Sequence, residues 1–161
     1  MYQQIATHKH RDGIQAEVME GVLPTGRQDV AGLTTGRSDL PLDRAGMKLR
    51  PGTICDNLTS FGGDLRASAH QTPVSDFLRH GAAGATVTVV EPYALQAKFP
   101  HPIVHVHYTR GASLAEAFYQ SVASPYQLLV VGDPLCRPWA RIPQIAVEGV
   151  TANQTVQAML T

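Results

Sequence analysis

Two thiols, a few imidazoles and a set of polar residues at the ends of apolar runs are the groups in this sequence that could do chemistry. Cys136 is the first nucleophile candidate. It follows the turn Gly132-Asp133-Pro134 and precedes Arg137, whose positive charge favours a thiolate. No histidine neighbours it in sequence, so a base would have to arrive through the fold, and His70 and His80 are the imidazoles available for that. The alternative for Cys136 is a structural loop thiol. Cys55 sits beside Asp56, and a neighbouring carboxylate disfavours a thiolate, so Cys55 reads as a small buried residue. His105 and His107 form an H-x-H pair that a strand would turn to one face, with His101 as the nearest third ligand. The pair alone is common, and neither a metal nor any other cofactor is expected. His8 and His10 read as solvated.

Other polar groups cluster in short segments. Thr59-Ser60-Phe61-Gly62-Gly63 is a loop whose backbone N–H groups could line an anion or oxyanion site. The alternative is a tight turn needing glycine at positive φ. Glu91-Pro92 ends an apolar run, and a carboxylate there needs a partner, with Lys98 or Arg110 in reach of an ion pair that fixes the loop. Asp133 before Pro134 initiates a turn.

These groups need elements to hold them. Eight Gly or Pro residues fall within positions 1–50, a density that allows only short strands or loops there. Val18–Leu23 and Val30–Leu33 are the local strand candidates. Order sharpens after Pro51. Thr53-Ile54-Cys55 reads as a buried strand ending at Asp56-Asn57. Thr72 is the expected N-cap of a helix with Pro73 in its first position, running to His80 and closed by Gly81. Ala85–Val90 is β-branched and continuous, a buried strand. Ile103–Tyr108 alternates and reads as strand or extended loop. Ser113-Leu114-Ala115-Glu116 is a capping box, followed by Leu114, Ala117, Phe118, Ser121 and Val122 on one helical face and closed by Pro125. Gln127–Val131 is a further apolar strand, and Gln144–Val150 a candidate last one.

The order strand, helix, strand, helix, strand over residues 53–131 predicts an α/β fold in three layers, a mostly parallel sheet flanked by helices. Residues 1–50 would be an irregular segment, 51–140 the core, and 141–161 a strand or tail. Functional groups in such sheets gather beyond the carboxyl ends of the strands. Asp56-Asn57, Glu91-Pro92-Tyr93 and Gly132-Asp133-Pro134 would then converge on one edge. Three strands make a small sheet, so association with another chain or with itself is an open expectation.

Composition narrows the partners. The 161 residues carry 13 Lys and Arg against 13 Asp and Glu, which leaves no net charge to attract nucleic acid or an anionic membrane. Hydrophobic residues make up 43% and charged ones 16%, enough to bury a core. No apolar run approaches the ~20 residues of a membrane span. The N-terminal stretch has no apolar signal region, and the compartment stays unassigned. Two cysteines make no disulfide framework. The sequons at Asn57 and Asn153 matter only in a glycosylating pathway.

The segments CDNLTSFGGDL, QTPVSDFLRHGAAGATVTVVEPYALQAKFPHP and YTRGASLAEAFYQSVASPYQLLVVGDPLCRP, over roughly residues 50–140, resemble a bacterial family that is itself similar to the caspase and gingipain group of cysteine peptidases. T-S-F-G-G, E-P-Y with K-F-P, and G-D-P-L carry the likeness. The resemblance implies a caspase-like α/β fold, complete or incomplete, in which a catalytic His ends one strand and a catalytic Cys the next. Asn57 stands where that His would be, and Tyr93 where some relatives place Cys after Glu-Pro. Asn is no general base, and Tyr, with a pKa of about 10, is a poor nucleophile. Relatives look longer and exported, so the chain reads as a fragment or a reduced form. Two functions follow. One is a degenerate, binding or structural module that takes a peptide or protein partner at the strand-end edge through Asn57, Thr59, Ser60, Gly62, Gly63, Glu91, Tyr93 and Asp133. The other is a cysteine hydrolase using Cys136 with a relocated histidine such as His70. A marginally stable truncated product is a third, blander reading.

Overall fold

The computed structural model describes residues 15–65, 70–141 and 143. Four strands form one sheet in the order β1-β2-β3-β4, with β1 at Val30–Thr35, β2 at Leu49–Asn57, β3 at Gly84–Thr88 and β4 at Leu128–Gly132. β1, β2 and β3 run parallel, and β4 is antiparallel to β3. Helix α1 spans Val74–Arg79, α2 Val104–Thr109 and α3 Leu114–Tyr119.

The layers follow from strand alternation. Leu33, Cys55, Ala85 and Val87 turn to one face and pack with Val74 and Phe77 of α1. Ile54 turns to the other and packs with Val104, Tyr108, Leu114, Ala117 and Phe118. The α/β architecture with helices on both faces is therefore the one expected. The sheet is larger than expected, because β1 comes from the breaker-rich first third and β2 extends to both sides of Thr53–Cys55. Val18–Leu23 forms no strand. Gln144–Val150 lies outside the described residues.

Local signals account for several elements. The Ser113 Oγ accepts the Glu116 N–H at 3.3 Å, and the Glu116 carboxylate accepts the Ser113 N–H at 2.7 Å, the expected capping box. Gly81 takes φ +96° just past α1, where a side chain would be strained. The start of α1 differs by one position: Pro73 occupies the N-cap, and the Thr72 hydroxyl instead accepts the Leu40 N–H at 2.8 Å, tying the loop after β1 to the helix.

The main correction concerns residues 103–108. They lie in α2 and its N-cap, neither strand nor extended loop. Short β-branched runs do not distinguish the two states, and the helix is fixed by burial of Val104 and Tyr108 one turn apart, with Gly111 at φ +100° beyond its end. This reverses β4. A single helix after β3 would return the chain to the amino end of the sheet. Two antiparallel helices bring it back to the carboxyl end: the Leu114 N–H reaches the Cys136 carbonyl at the amino end, and the His101 N–H reaches the Ser121 carbonyl at the other. β4 then starts beside the end of β3, with Leu128 opposite Thr88 and Gly132 opposite Gly84.

Candidate functional site: the strand-end cleft

The carboxyl ends of β2 and β3 open into a cleft of about 420 Å³ lined by Leu58, Thr59, Ser60, Glu91, Pro92, Tyr93, Ala94, Gln96 and Phe99. Four residues singled out from the sequence, Thr59, Ser60, Glu91 and Tyr93, meet here. Tyr93 is 70% exposed and holds φ +56°, the left-handed region that a bulky residue avoids. Its N–H donates to the Glu91 carboxylate at 2.8 Å, and the Lys98 ammonium lies 5.8 Å from its ring centroid. Glu91 thus braces its own turn rather than pairing with Lys98. The Gln127 side chain donates to the Glu91 carbonyl at 3.0 Å, joining this turn to the start of β4. At the other wall the Thr88 hydroxyl donates to the Thr59 carbonyl, while Thr59 Oγ1 is buried and makes no hydrogen bond among the described residues.

The N–H groups of the Thr59–Gly63 loop are not all free for an anion: those of Thr59, Phe61 and Gly63 are engaged within the fold. The N–H groups of Leu58, Thr59, Gly63 and Asp64 donate to backbone carbonyls, and that of Phe61 donates to the Gln71 side chain at 2.8 Å. Nor do Gly62 and Gly63 serve by positive φ. They are glycines because the chain passes too close for a side chain. A Cβ on Gly62 would lie 2.9 Å from Val87 and 3.0 Å from the Thr72 carbonyl, and one on Gly63 would lie 2.7 Å from Val89. Asn57 is fully buried, and its amide bonds both the N–H and the carbonyl of Arg37 at 3.2 Å, which anchors the loop after β1.

Asp133 and Cys136 lie at the opposite end. Because β4 is antiparallel, its Gly132-Asp133 exit sits beside the start of β3, where the Asp133 N–H reaches the Ala83 carbonyl. Asp133 Oδ1 accepts the Leu135 N–H at 3.0 Å, the turn the sequence implies. Cys136 Sγ accepts the Tyr108 hydroxyl at 3.2 Å, and the Tyr108 ring stands edge-on to Trp139 at 5.1 Å. Burial first, then the hydrogen bond to Cys136, pushes the Tyr108 phenol far above its ordinary value. Arg137 does not attend the thiol; its Nε donates to the Gly111 carbonyl at 3.0 Å.

His70 is exposed at φ +45°, next to the Gln71 that holds Phe61, and so belongs to the carboxyl end. The two ends of β2 between Gly52 and Asn57 are roughly 16 Å apart, so Cys136 and His70 are not brought together. His80 is likewise elsewhere, with its Nε2 3.1 Å from Asp43. His105 and His107 are on a helix, where a two-residue spacing separates them by about 200°. His105 faces β1, with Nε2 2.9 Å from Thr34 Oγ1. Among the described residues no group of three His, Cys, Asp or Glu could hold a metal ion, and no helix is long and apolar enough to cross a membrane.

Sequence reasoning places Asp56 at the strand-end edge but misses its state. Asp56 is fully buried. Its Oδ1 accepts the Thr86 hydroxyl at 2.6 Å, and its Oδ2 has no partner among the described residues. Desolvation raises its pKa to about 7, against a smaller lowering by Thr86. The adjacent Cys55 is also fully buried, and burial with the Asp56 charge pushes its thiol far up. The only signal for Asp56 in the sequence was its place directly after three residues of buried strand.

Comparison with protein-family models, curated proteins and solved structures returns no match to this chain.

Proposed function

We propose that this chain is a binding module on an α/β scaffold, taking a peptide or protein partner at the strand-end cleft and lacking a working Cys–His dyad. The observation that supports it is the meeting of Thr59, Ser60, Glu91 and Tyr93 in one cleft. Tyr93 is the informative member. An exposed aromatic in the left-handed region costs free energy, and its ring contact among the described residues is the Lys98 ammonium at 5.8 Å. Exposed aromatics of this kind anchor partners. Thr59 lines the same cleft, and its Oγ1 is sealed from solvent without a hydrogen bond among the described residues.

The caspase and gingipain resemblance enters this reading as its scaffold. Asn57 ends β2 and Tyr93 follows β3, the two neighbouring strand ends where the resemblance puts the dyad. The fold would keep the place and have exchanged the groups. The hydrolase alternative needs a base at Cys136, and its hydrogen-bond partner there is a phenol.

The test measures binding and cleavage in one sample. The full chain is mixed with fluorescent random tetrapeptides, with binding followed by anisotropy and cleavage by chromatography. Binding without cleavage, weakened in Tyr93→Gly and Glu91→Gln, is expected. Cleavage abolished by alkylating Cys136 would overturn the proposal in favour of the hydrolase. Absence of both binding and cleavage would remove the peptide partner.

A further inference from the structure

The other end of the sheet's strand order carries a second, independent feature. Among the described residues β1 is an edge strand. Its register sets Leu33 opposite Cys55 and Thr35 opposite Asn57, and the Leu58 N–H donates to the Thr35 carbonyl at 2.8 Å. In a parallel pair alternate residues bond the same neighbour. Leu33 and Thr35 therefore bond β2, and the backbone N–H and carbonyl of Gly32 and Thr34 point outward. None of these four groups has a hydrogen-bond partner among the described residues.

They line a cleft of about 550 Å³ that lies between two walls. One wall is α2 and the turn before it, through Pro102, His105 and Thr109; the other is the segment leading to β1, through Val18, Met19 and Val22. Val22 packs on the face of the sheet that carries α1, whereas His105 contacts Thr34 on the face that carries α2. The cleft thus continues the plane of the sheet, with a layer above and a layer below. Gly32 keeps it narrow: a Cβ there would lie 2.5 Å from His105 Nδ1, so the ring sits directly against the strand.

We infer that β1 accepts an extended peptide segment of another protein as a fifth strand, seated in this cleft. What argues for that occupant is the repeat of the free groups. Donor and acceptor recur every second residue, at about 6.6–6.8 Å, a spacing matched by an extended backbone. The walls set its side chains. Those turned to Val18 and Met19, which are 60% and 42% exposed, are apolar. Those turned to His105 and Thr109 are small and polar. Glu17 and Arg27 at this cleft pair with each other, and Asp29, also in its lining, makes no ion pair among the described residues.

The experiment uses the full chain, labelled with nitrogen-15, and a capped hexapeptide of alternating Val and Thr as probe. Titration to about 1 mM peptide is expected to shift the Gly32 and Thr34 amide resonances downfield and to slow their exchange with solvent. Leu33, already bonded to β2, shifts less. Peptide methylated on alternate backbone nitrogens is expected to bind at least tenfold more weakly. Thr34→Pro removes an outward donor without touching the bonds to β2, which an edge strand tolerates. It is expected to lose the probe, whereas Thr34→Val retains it. Should Thr34→Pro not fold, the methylated probe still decides. No response at Gly32 and Thr34 would overturn the inference. So would protection of both amides in the free chain, whether independent of concentration, which assigns the edge to this chain's own residues, or growing with it, which assigns the edge to a second copy.

Discussion

The two ends of the central sheet are built from similar residues and differ in what those residues are left to do. At the amino end of β2 and β3 the polar groups are consumed. Tyr108 donates to Cys136, Arg137 to the Gly111 carbonyl, and the Asp133 carboxylate accepts the Leu135 N–H. At the carboxyl end several are held but not consumed: Tyr93 is exposed in a left-handed conformation, Thr59 Oγ1 is buried without a bond among the described residues, and Asp56 Oδ2 is in the same position. The reactive-looking thiol therefore belongs to the end that is packed for stability, and the strained, under-satisfied groups belong to the end that forms the cleft. Residue chemistry alone would rank the two ends the other way.

The comparison breaks most visibly at Tyr108. Tyr108→Ala removes a fully buried ring from the core around Val104, Leu114 and Phe118, with an expected loss of about 3–5 kcal/mol. Urea unfolding reads the loss, and faster alkylation of Cys136 in the folded variant reads the exposure of the thiol. If Cys136 in the unaltered chain already alkylates as fast as a free thiol, the packed description of that end is wrong.

Next in size is the pH dependence carried by Asp56. Its folded pKa, about 7, lies above the ordinary value of 3.8. A raised carboxyl pKa means that the folded state binds the extra proton. The stabilisation is complete below the unfolded value and is lost as pH rises towards and through 7. Between pH 5 and pH 8 the loss from this group is on the order of 3 kcal/mol. Asp56→Asn is expected to flatten the difference in unfolding free energy between these two pH values. An unchanged slope in the variant would assign the pH dependence to other groups.

A smaller effect sharpens the amino end. Ser113→Ala removes the hydroxyl half of the capping box, with an expected cost of about 0.5–2 kcal/mol. Amide exchange should quicken at the start of α3 without altering peptide binding at the cleft. The smallest effect has the opposite sign. Tyr93→Gly relieves the left-handed conformation and is expected to stabilise the chain by up to ~1 kcal/mol while weakening binding at the cleft. A residue that costs stability and supports binding is what separates this end from the other; a destabilised Tyr93→Gly variant would remove that distinction.

Much of the scaffold was legible in the sequence. The continuous apolar runs around Ile54, Val87 and Val130 marked strands, Gly81 marked the end of α1, and Ser113 with Glu116 marked the start of α3. These are local devices whose partners lie within a few residues. The edge strand β1 was only partly legible, since Gly32 breaks its pattern for the sake of the His105 ring, a contact 73 positions away in the chain. Of the site, Thr59, Ser60, Glu91 and Tyr93 could be named as strand-end groups, but Asp133 was placed with them in error. One ambiguous stretch, residues 103–108, caused that. As a strand it leaves one helix between β3 and β4 and a parallel return; as α2 it makes two, and the return reverses.

The sequence by itself determined which residues are apolar enough to be buried and where the chain must turn, because hydrophobic periodicity, capping and glycine conformations are local properties. Only the tertiary structure decided direction and company. Whether Cys136 meets a histidine or a phenol, whether Asp56 is solvated or sealed, and which end of the sheet keeps its polar groups available all depend on strand direction and register. Those are set by packing between residues far apart in sequence, where no local pattern records the outcome.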